Sequence, residues 1–492
     1  MTDTPVQAPA TGPDAPALYR DRIATVDDEG KRRWIYPKKP RGRFTSARTF
    51  LSWFLLAFLF GAPFLKIGGE PMFLFNVLER KFILFGVVFW PQDFYLFGLV
   101  MIATVVFIFL FTAVFGRLFC GWICPQTVFM ELVFRKIEYL IDGDSDKQRM
   151  LAMQPWTAGK VFKRTLKLGI FFALSFLIGN TFLAWIIGVD QLWAIVTDPP
   201  ARHIGGLTAM LLFSGAFFFV FAWFREQACV LVCPYGRLQS VLLDPNSVVI
   251  SYDFVRGEPR QKMRKGADRA GIGDCVDCKQ CVVVCPTGID IRNGTQLECV
   301  NCTACIDACD TVMDKVGLPR GLIRYSSYNA IKSGAKKLFT PRVIAYSAVL
   351  TVLVGVIIYL FIARVDLQAT MLRAPGSLFQ EKGDDIISNL YTIKVINKSK
   401  EQRTIELRLL EPEGTLTIVG GQAITLPNGG IVEAAAFIDI ERDELTGFST
   451  PVKVGIYANG ELKQTIRSTF SGPMPGMEHE DKPEGADKPD TH

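Results

Sequence analysis

The residues of this sequence most suited to metal binding or redox chemistry are its cysteines. The 492 residues include twelve cysteines and three histidines. The cysteines fall into three groups, which are a pair at Cys120 and Cys124, a pair at Cys229 and Cys233, and a set of eight between Cys275 and Cys309. Because the histidines are scattered along the chain, we expect any metal chemistry to rest on thiolates.

The set of eight cysteines contains two copies of one spacing. The first copy reads CVDCKQCVVVCP from Cys275, and the second reads CVNCTACIDACD from Cys299. Bacterial ferredoxins bind [4Fe–4S] clusters through the spacing C-x2-C-x2-C-x3-C, and in two-cluster ferredoxins the fourth cysteine of each run ligates the other cluster. A zinc site would use four cysteines rather than eight in this register.

The spacing therefore predicts two [4Fe–4S] clusters with crossed ligands. The cysteines predicted to bind the first cluster are Cys275, Cys278, Cys281 and Cys309. Those predicted to bind the second cluster are Cys285, Cys299, Cys302 and Cys305. The second copy has Asp310 where the first has Pro286, and we expect this change to alter the packing around Cys309 without changing the number of ligands.

The two remaining cysteine pairs share the pattern C-x3-C-P, as CGWICP from Cys120 and CVLVCP from Cys229. Each pair follows a long apolar segment, and the two segments are predicted to cross the membrane in the same direction, so that four thiolates could converge at one depth. Thiolates select Cu(I), zinc or iron–sulfur clusters, and the proline disfavours a helical conformation at each second cysteine. We predict a shared metal or redox site. The alternative is that these cysteines are small apolar residues of the bundle.

Five segments of the chain are long and apolar enough to span a membrane. They lie at 49–65, 94–115, 168–189, 204–224 and 343–363. A shorter apolar stretch at 73–90 is interrupted by Glu79, Arg80 and Lys81, so we expect either an interfacial or re-entrant element or an ordinary packed loop there. The composition, with 49% hydrophobic residues, indicates a multi-pass membrane protein, and a net charge of +6 does not favour nucleic-acid binding.

The distribution of lysine and arginine predicts the orientation of the chain. Basic residues are dense before the first apolar segment, in KRRWIYPKKPRGR, and also between the second and third and between the fourth and fifth segments. The loop 190–203, in contrast, holds only Arg202. The N-terminus is therefore expected in the cytoplasm and the C-terminus outside. All the cysteines would then lie on or near the reducing side, where thiols favour metal or redox chemistry over structural disulfides.

Beyond the fifth apolar segment, short alternating runs such as YTIKVI and RTIELRLL are separated by turn residues. Period-two alternation at this spacing predicts an all-β, immunoglobulin-like sandwich. The predicted fold class is multidomain, with an α-helical membrane bundle, a ferredoxin-like insert for two [4Fe–4S] clusters and this C-terminal sandwich. The predicted domains are a largely disordered, basic, cytoplasmic N-terminus at 1–48, membrane helices one to four at 49–245, a ferredoxin-like domain at 246–340, the fifth helix at 341–365, the β-domain at 366–472 and a disordered tail at 473–492.

The order of these motifs resembles the CcoG family, also called FixG or RdxA, whose members are accessory proteins of cbb3-type cytochrome c oxidase. The resemblance covers nearly the whole chain after about residue 30, and its local marks include RRWIYPK, FGRLFCGWICPQTVF, CVLVCPYGRLQSVL and NLYTIKVINKS. The C-x3-C-P pairs are also similar to those of quinol-linked polyferredoxins, but the outer β-domain favours the CcoG family.

The resemblance implies reduction of Cu(II) to Cu(I) for the haem–copper centre of the oxidase, in a bacterial inner membrane with the β-domain in the periplasm. By motif match, the four cysteines of the C-x3-C-P pairs would hold or reduce copper, and the eight ferredoxin cysteines would feed them electrons. The implied partners are a cytoplasmic electron donor and copper-handling or oxidase assembly proteins, and a homodimer is also considered.

Two other functions stay open from the residues alone. A quinol-linked conduit would pass electrons to a periplasmic enzyme, but it needs an outer redox centre and the predicted outer region has no cysteine. A non-enzymatic assembly scaffold would hold a partner on its β-domain and use the clusters as a redox sensor.

A few single residues carry weaker expectations. Glu226 and Arg117 are expected to be interfacial anchors that could tune the thiols, and Met150 and Met153 to be packing residues. The tail motif MPGMEH could bind copper, although a flexible polar tail is the favoured interpretation.

Overall fold

The protein is described here from a computed structural model. It describes residues 24–473 apart from gaps at 27–28, 68, 78–80, 90–92, 263–270, 335–336, 366, 376–378, 384, 400, 422, 428 and 459. The chain forms two compact units. The first comprises Met1–Lys66, Pro71–Glu79 and Phe94–Ile358, and the second comprises Ile67–Glu70, Arg80–Asp93 and Tyr359–His492. The tail motif MPGMEH and the predicted disordered tail, except for its first residue, lie outside the described residues.

Five helices among the described residues are long and apolar enough to cross a membrane. They run over Arg43–Phe64, Phe94–Phe115, Ala158–Ile187, Pro200–Phe224 and Pro341–Ile362. The first ends in a 3-10 turn at Ala62–Phe64, and the fourth begins with one at Pro200–His203. Each helix overlaps one predicted apolar segment, which confirms the membrane-helix part of the predicted fold.

Four of the five membrane helices begin earlier than their apolar segments, and the first and third do so by the largest margins. The first starts at Arg43 and the third at Ala158, six and ten residues before the predicted starts at 49 and 168. The backbone N–H of Lys160 donates to Thr157 Oγ1 over 3.3 Å, which caps the third helix at its start. Its first turns are basic, so an apolar window alone places the start too late.

Shorter helices complete the first unit. They are Leu118–Trp122, Pro125–Thr127, Arg135–Ile141, Ser145–Met153, Val189–Thr197, Pro234–Leu242, Phe254–Gly257, Gln280–Val283, Ala304–Val316 and Tyr328–Ser333, with a 3-10 turn at Ile291–Asn293. Two strands, Val249–Tyr252 and Ile323–Ser326, pair antiparallel. Three segments are π-helical. Val128–Phe134 follows the first C-x3-C-P pair, Val220–Phe224 lies just before the second pair, and Ala228–Val232 includes the first cysteine of the second pair. Such segments are rare and are frequent at functional sites.

Aromatic packing joins the membrane helices to the segments that carry the cysteine pairs. The third helix, Ala158–Ile187, packs on the α-helical part of the fourth, Ile204–Phe219. The ring of Phe134 lies with its centroid 4.8 Å from that of Phe171 and 4.8 Å from that of Phe221, and all three side chains are buried. This contact anchors the segment after the first cysteine pair between the third and fourth membrane helices.

The apolar stretch at 73–90 contains strands, so the expectation of an ordinary loop was wrong, and the interfacial or re-entrant element stays a prediction. The strands run over Phe73–Asn76, Lys81–Leu84 and Val87–Phe89, and two shorter ones lie at Lys66–Ile67 and Glu70–Pro71. Lys81–Leu84 and Val87–Phe89 form a hairpin. Phe85 and Gly86 turn it at φ of 53° and 73°, a conformation typical of two-residue hairpin loops.

The second unit contains the predicted all-β sandwich. One sheet has the strand order Thr415–Ile418, Ile431–Glu441, Ile386–Asn397 and Leu367–Arg373, with Gln380–Lys382 also paired to Ile386–Asn397. The other has the order Ala423–Leu426, Arg403–Glu411, Ser449–Ala458 and Glu461–Ser471. A 3-10 turn, Arg442–Glu444, follows the strand Ile431–Glu441. Alternate residues such as Tyr391, Ile438 and Phe470 form one buried core with no solvent exposure.

Candidate metal centre

The cysteines of the ferredoxin-like region line two small cavities. The first has an empty volume of about 330 Å³. The cysteines on its wall are Cys275, Cys278, Cys281 and Cys309. Cys278 is solvent-exposed, whereas the other three are buried. The first cavity therefore has a thiol at the protein surface.

The second cavity has the same empty volume, about 330 Å³. The cysteines on its wall are Cys285, Cys299, Cys302 and Cys305, together with Cys281, which lines both cavities. None of these is exposed. Burial raises the pKa of Cys302 to about 11 and that of Cys299 to about 12. The second cavity is thus a desolvated site, in which thiolates form only with a cation present.

The two cysteine loops have the same strained backbone. Asp277 and Lys279 in the first run have φ of 46° and 55°, and Asn301 and Thr303 at the matching positions of the second run have φ of 52° and 65°. A β-branched residue such as Thr303 rarely adopts this left-handed conformation. Its recurrence at equal offsets shows that each run is wound tightly around its cavity.

The donor set fits iron–sulfur clusters. Four thiols line the first cavity and five line the second, and in the described part of the chain no three His, Cys, Asp or Glu side chains converge closely enough to hold a single metal ion. Thiols spread around a void suit a cuboidal cluster, which has a metal at several corners. The residues present therefore fit two clusters rather than two mononuclear sites.

Both C-x3-C-P pairs lie at helix breaks. Cys124 has ψ of 124° and precedes helix Pro125–Thr127, and Cys233 has ψ of 112° and precedes helix Pro234–Leu242. This confirms the expected effect of the proline after each second cysteine. The two thiols of a pair consequently do not share the face of one continuous α-helix.

The four cysteines of the pairs lie in one neighbourhood. Burial raises the pKa of Cys120 to about 11, and Cys124 adds to the rise. Burial also raises the pKa of Cys229, and the other three thiols of the pairs contribute. The thiols are thus close enough to interact electrostatically, although no three donors among the described residues surround a point as a single-ion site requires.

The cysteine pairs adjoin the second cavity. Cys120 and Cys229 pack on a buried cluster formed by Val284, Val300, Cys302 and Ala304. Gly121 lies so close to the second cysteine run that a Cβ atom there would be 2.3 Å from the carbonyl oxygen of Asn301. Only glycine permits this approach. Trp122 Nε1 donates to Tyr325 Oη over 3.0 Å, which adds a polar contact to the same junction.

Two buried arginines, Arg48 and Arg117, bind the same junction. Arg48 donates from Nε to Gly121 O over 2.9 Å and from Nη1 to Cys302 O over 2.6 Å. Arg117 donates from Nη2 to Gly236 O over 2.7 Å and from Nη1 to the carbonyl of Leu297. Arg117 is 6% exposed, so the expectation of an interfacial anchor was wrong. Arg48 has no signal in the sequence that separates it from its basic neighbours.

Three further expectations about single residues were wrong. Glu226 is 1% exposed and belongs to a buried ion network, in which Arg32 Nη2 donates to its carboxylate over 3.2 Å and Arg135 Nη2 lies 3.7 Å away. Met150 and Met153 are 52% and 79% exposed. They are surface residues rather than packing residues.

The second cysteine run also caps the first membrane helix. Asp307, which is 2% exposed, accepts from the backbone N–H groups of Phe44 and Thr45 over 3.1 and 2.7 Å. Asp310, which replaces a proline, accepts from Gly321 N over 3.0 Å and lies 3.6 Å from Arg43 Nη2. The Asp307 carboxylate thus satisfies N–H groups at the helix start that have no partner within the helix, and Asp310 adds an ion pair at the same end.

Comparison with protein families assigns both cysteine regions to iron–sulfur proteins. Residues 224–328 match a 4Fe-4S dicluster domain. Residues 97–142, which include Cys120 and Cys124, match a 4Fe-4S binding domain. Residues 357–473 match the Ig-like fold at the C-terminus of FixG. The chain is therefore a membrane-type iron–sulfur protein of the electron-transfer class.

Known relatives cover most of the chain. Nitrogen fixation protein FixG of Rhizobium meliloti is 33% identical over 437 residues, which are 80% of this chain and 82% of the relative. Protein RdxA of Cereibacter sphaeroides is 37% identical over 411 residues, which are 79% of this chain and 85% of the relative. The crystal structure of a FixG-related protein from Vibrio parahaemolyticus matches 22% of this chain and 97% of its own, with 22% identity and a TM-score of 0.19. On its similarity to the first two proteins, this chain belongs to the FixG/RdxA family.

Proposed function

We propose that this chain is a membrane-bound iron–sulfur electron carrier that reduces Cu(II) to Cu(I) for the assembly of a cbb3-type cytochrome c oxidase. The observation that carries the proposal is the packing of Cys120 and Cys229 on the buried cluster that includes Cys302. A thiol in contact with the wall of a cluster site can exchange electrons with it while water is excluded.

The proposed ligands are the cysteines that line each cavity. They are Cys275, Cys278, Cys281 and Cys309 for the first cluster, and Cys285, Cys299, Cys302 and Cys305 for the second. The positions of Cys309 on the first cavity and of Cys285 on the second support crossed ligation, because each belongs to the other run. When bound, such clusters supply one-electron redox chemistry.

The C-x3-C-P cysteines are the proposed copper end, namely Cys120, Cys124, Cys229 and Cys233. Copper is the substrate, and each Cu(II) takes up one electron that originates from a cytoplasmic one-electron donor. Soft thiolates stabilise the Cu(I) product. The raised pKa values of Cys120 and Cys229 keep these thiols protonated until a cation binds, so copper binding releases protons. A substrate that is handed on requires no closed coordination shell.

The proposed topology places the cysteine-containing side in the cytoplasm and the β-sandwich in the periplasm of a bacterial inner membrane. The density of Lys and Arg before the first membrane helix and between the second and third supports this orientation. A donor protein would then meet the exposed Cys278, and the sandwich would meet copper-handling or oxidase assembly proteins.

A second candidate assigns the C-x3-C-P cysteines to iron rather than copper. The observation that favours it is the match of residues 97–142, with Cys120 and Cys124, to a 4Fe-4S binding domain. Four thiols from the two pairs would then ligate a further cluster, and the chain would be an electron carrier with no copper chemistry of its own.

Single-turnover copper reduction tests the proposal. The purified, cluster-loaded protein is reduced with dithionite under anaerobic conditions, freed of excess reductant and mixed with Cu(II). Cu(I) is measured with a colorimetric chelator while the cluster absorbance is recorded. We expect about one Cu(I) for each cluster electron lost.

The Cys120→Ala/Cys124→Ala variant should keep its two clusters and lose this reaction. The control is Met150→Ala/Met153→Ala, which removes two exposed sulfur atoms from the same unit. Copper reduction at the wild-type rate in the cysteine variant would refute the copper assignment. Loss of iron from that variant would favour the second candidate.

A further inference from the structure

Two arginines differ from the other arginines that have a buried nitrogen without a hydrogen-bond partner. In the part of the chain that the structure describes, eight arginines have such a nitrogen. Six of them form an ion pair with a carboxylate, and these are Arg32, Arg135, Arg225, Arg260, Arg364 and Arg442. Arg48 and Arg117 form none with any described residue.

A buried cation without an anion is strongly disfavoured. Arg48 is 3% exposed and Arg117 is 6% exposed, so water does not solvate either guanidinium well. Their only described partners are backbone carbonyls, and Arg48 Nη2 and Arg117 Nε are left without any. Taking such a charge out of water is unfavourable unless a counter-charge lies close by. The arrangement therefore points to an anion that the polypeptide itself does not supply.

The position of the two arginines indicates which anion this is. Arg48 Nη1 binds the carbonyl of Cys302, and Arg117 Nη1 lies 3.5 Å from the carbonyl of Cys299. Both cysteines line the second cavity. Four thiolates give an iron–sulfur cluster a net negative charge, which increases on reduction. The missing counter-charge and the cavity thus coincide.

The first cavity has no such uncompensated cation among its described arginines. Arg292 pairs with Asp277 and Asp290 over 2.6 Å each, Arg256 pairs with Asp274, and Arg43 lies 3.6 Å from Asp310. The arginines near the first cavity are therefore neutralised by carboxylates, and Lys279, which lines the cavity, is exposed, so that solvent screens its charge. The two cavities share ligand number and volume but differ in the net charge around them.

We propose that Arg48 and Arg117 are the counter-cations of the anionic centre at the second cavity and hold its reduction potential above that of the first. The proposal rests on the cluster occupancy proposed above. A desolvated site alone would disfavour the extra negative charge of the reduced state, so a lower potential would be expected at the second cavity. Two adjacent unpaired cations oppose that effect. Electrons entering near the exposed Cys278 then move toward the C-x3-C-P cysteines.

A redox titration followed by EPR tests this inference on the full-length, cluster-loaded protein. The Cys278→Ser variant changes a first-cavity ligand and so identifies the signal of that cluster. We expect the other signal to have the higher midpoint potential. The variants R48Q and R117Q should lower that higher midpoint and leave the first-cavity midpoint unchanged. R48K and R117K keep the charge and should shift it less.

The matched control is R364Q, which removes a half-buried arginine of the second unit and should move neither midpoint. The inference is overturned if the first-cavity signal has the higher midpoint, or if R48Q and R117Q leave both unchanged. If R48Q assembles only the first cluster while R48K assembles both, the counter-charge role is supported. Loss of the second cluster in both R48Q and R48K would show that the hydrogen-bond geometry of Arg48, and not its charge, is needed for assembly. That result overturns the inference. A wild-type protein that holds fewer than two clusters would instead refute the proposed function.

Discussion

The first and second cavities are built from the same repeated spacing, and they differ in what surrounds them. The first has an exposed thiol at Cys278 and arginines that are paired with carboxylates. The second has no exposed thiol, has unpaired arginines and adjoins the C-x3-C-P pairs. Under the proposed function, equal sets of cysteines would thus serve as an entry point and as an exit point for electrons. The ligand spacing determines which cofactor is bound, whereas the neighbouring charges and contacts determine the role.

The largest expected difference between the cavities follows loss of one ligand. Cys302→Ser removes a buried proposed ligand that water cannot replace, so we expect loss of the second cluster, which is about half of the bound iron. Cys278→Ser opens a corner that water can reach, so the first cluster should persist with an altered EPR signal. Iron analysis and EPR check both. Equal iron loss in the two variants would contradict the contrast in solvent access.

The glycine at the junction gives the next largest effect. Gly121→Ala places a Cβ atom 2.3 Å from a backbone oxygen, so the second cysteine run must move away from the C-x3-C-P segment. We expect a lower thermal midpoint and slower copper reduction. Gly169→Ala is the matched control, because its Cβ atom meets nothing within 4 Å. A G121A protein that melts and reacts like the control would show that the close approach is absent.

The helix cap supplied by Asp307 should have a moderate effect. Asp307→Ala removes the acceptor for two N–H groups at the start of the first membrane helix, and the loss of a cap destabilises by about 1–2 kcal/mol. Chemical denaturation followed by cluster absorbance measures it. The exposed Asp314, which pairs with Arg320 at the surface, is the control, and Asp314→Ala should not change the midpoint measurably. Equal midpoints for both variants would refute the cap.

The smallest effect concerns the carboxylates of the first cavity. Burial would raise the pKa of Asp290, but its hydrogen bond from Arg292 outweighs burial and holds the pKa below the ordinary value of 3.8. The stabilisation from a depressed pKa is complete above the unfolded value and is lost only as the pH falls through the folded one. Asp290→Asn should therefore weaken the first cluster by about 1 kcal/mol, equally at pH 8 and pH 5. Urea-induced loss of the first-cavity EPR signal measures it. A penalty that vanishes by pH 5 would contradict the depressed pKa.

Much of this architecture could be predicted from sequence because it depends on local patterns. The membrane helices follow from uninterrupted apolar runs, and the breaks at Cys124 and Cys233 follow from the prolines behind them. Six strands of the sandwich follow from strict alternation. Gln380–Lys382 was missed because three residues are too short to show a period. Ala423–Leu426 and Leu367–Arg373 were also missed, although Ala423–Leu426 alternates and is as long as the predicted Thr415–Ile418.

The parts that could not be predicted depend on residues far apart in the chain. Arg48 binds Cys302 across 254 positions, and Asp307 caps a helix 262 positions before it. In the sequence, Arg48 is one of many basic residues before a membrane helix, and a functional contact cannot be told from the usual cytoplasmic excess of positive charge. Glu226 is similar, because only the fold shows that the arginines around it are buried with it.

The most direct test of the central claim is the iron and sulfide content of the purified protein. It should be measured on the wild type and on a variant with Cys120, Cys124, Cys229 and Cys233 all changed to alanine. Two clusters with crossed ligands predict about eight iron atoms per chain in both proteins. About twelve in the wild type, falling to about eight in the variant, would place a further cluster at the C-x3-C-P cysteines and contradict their assignment to copper.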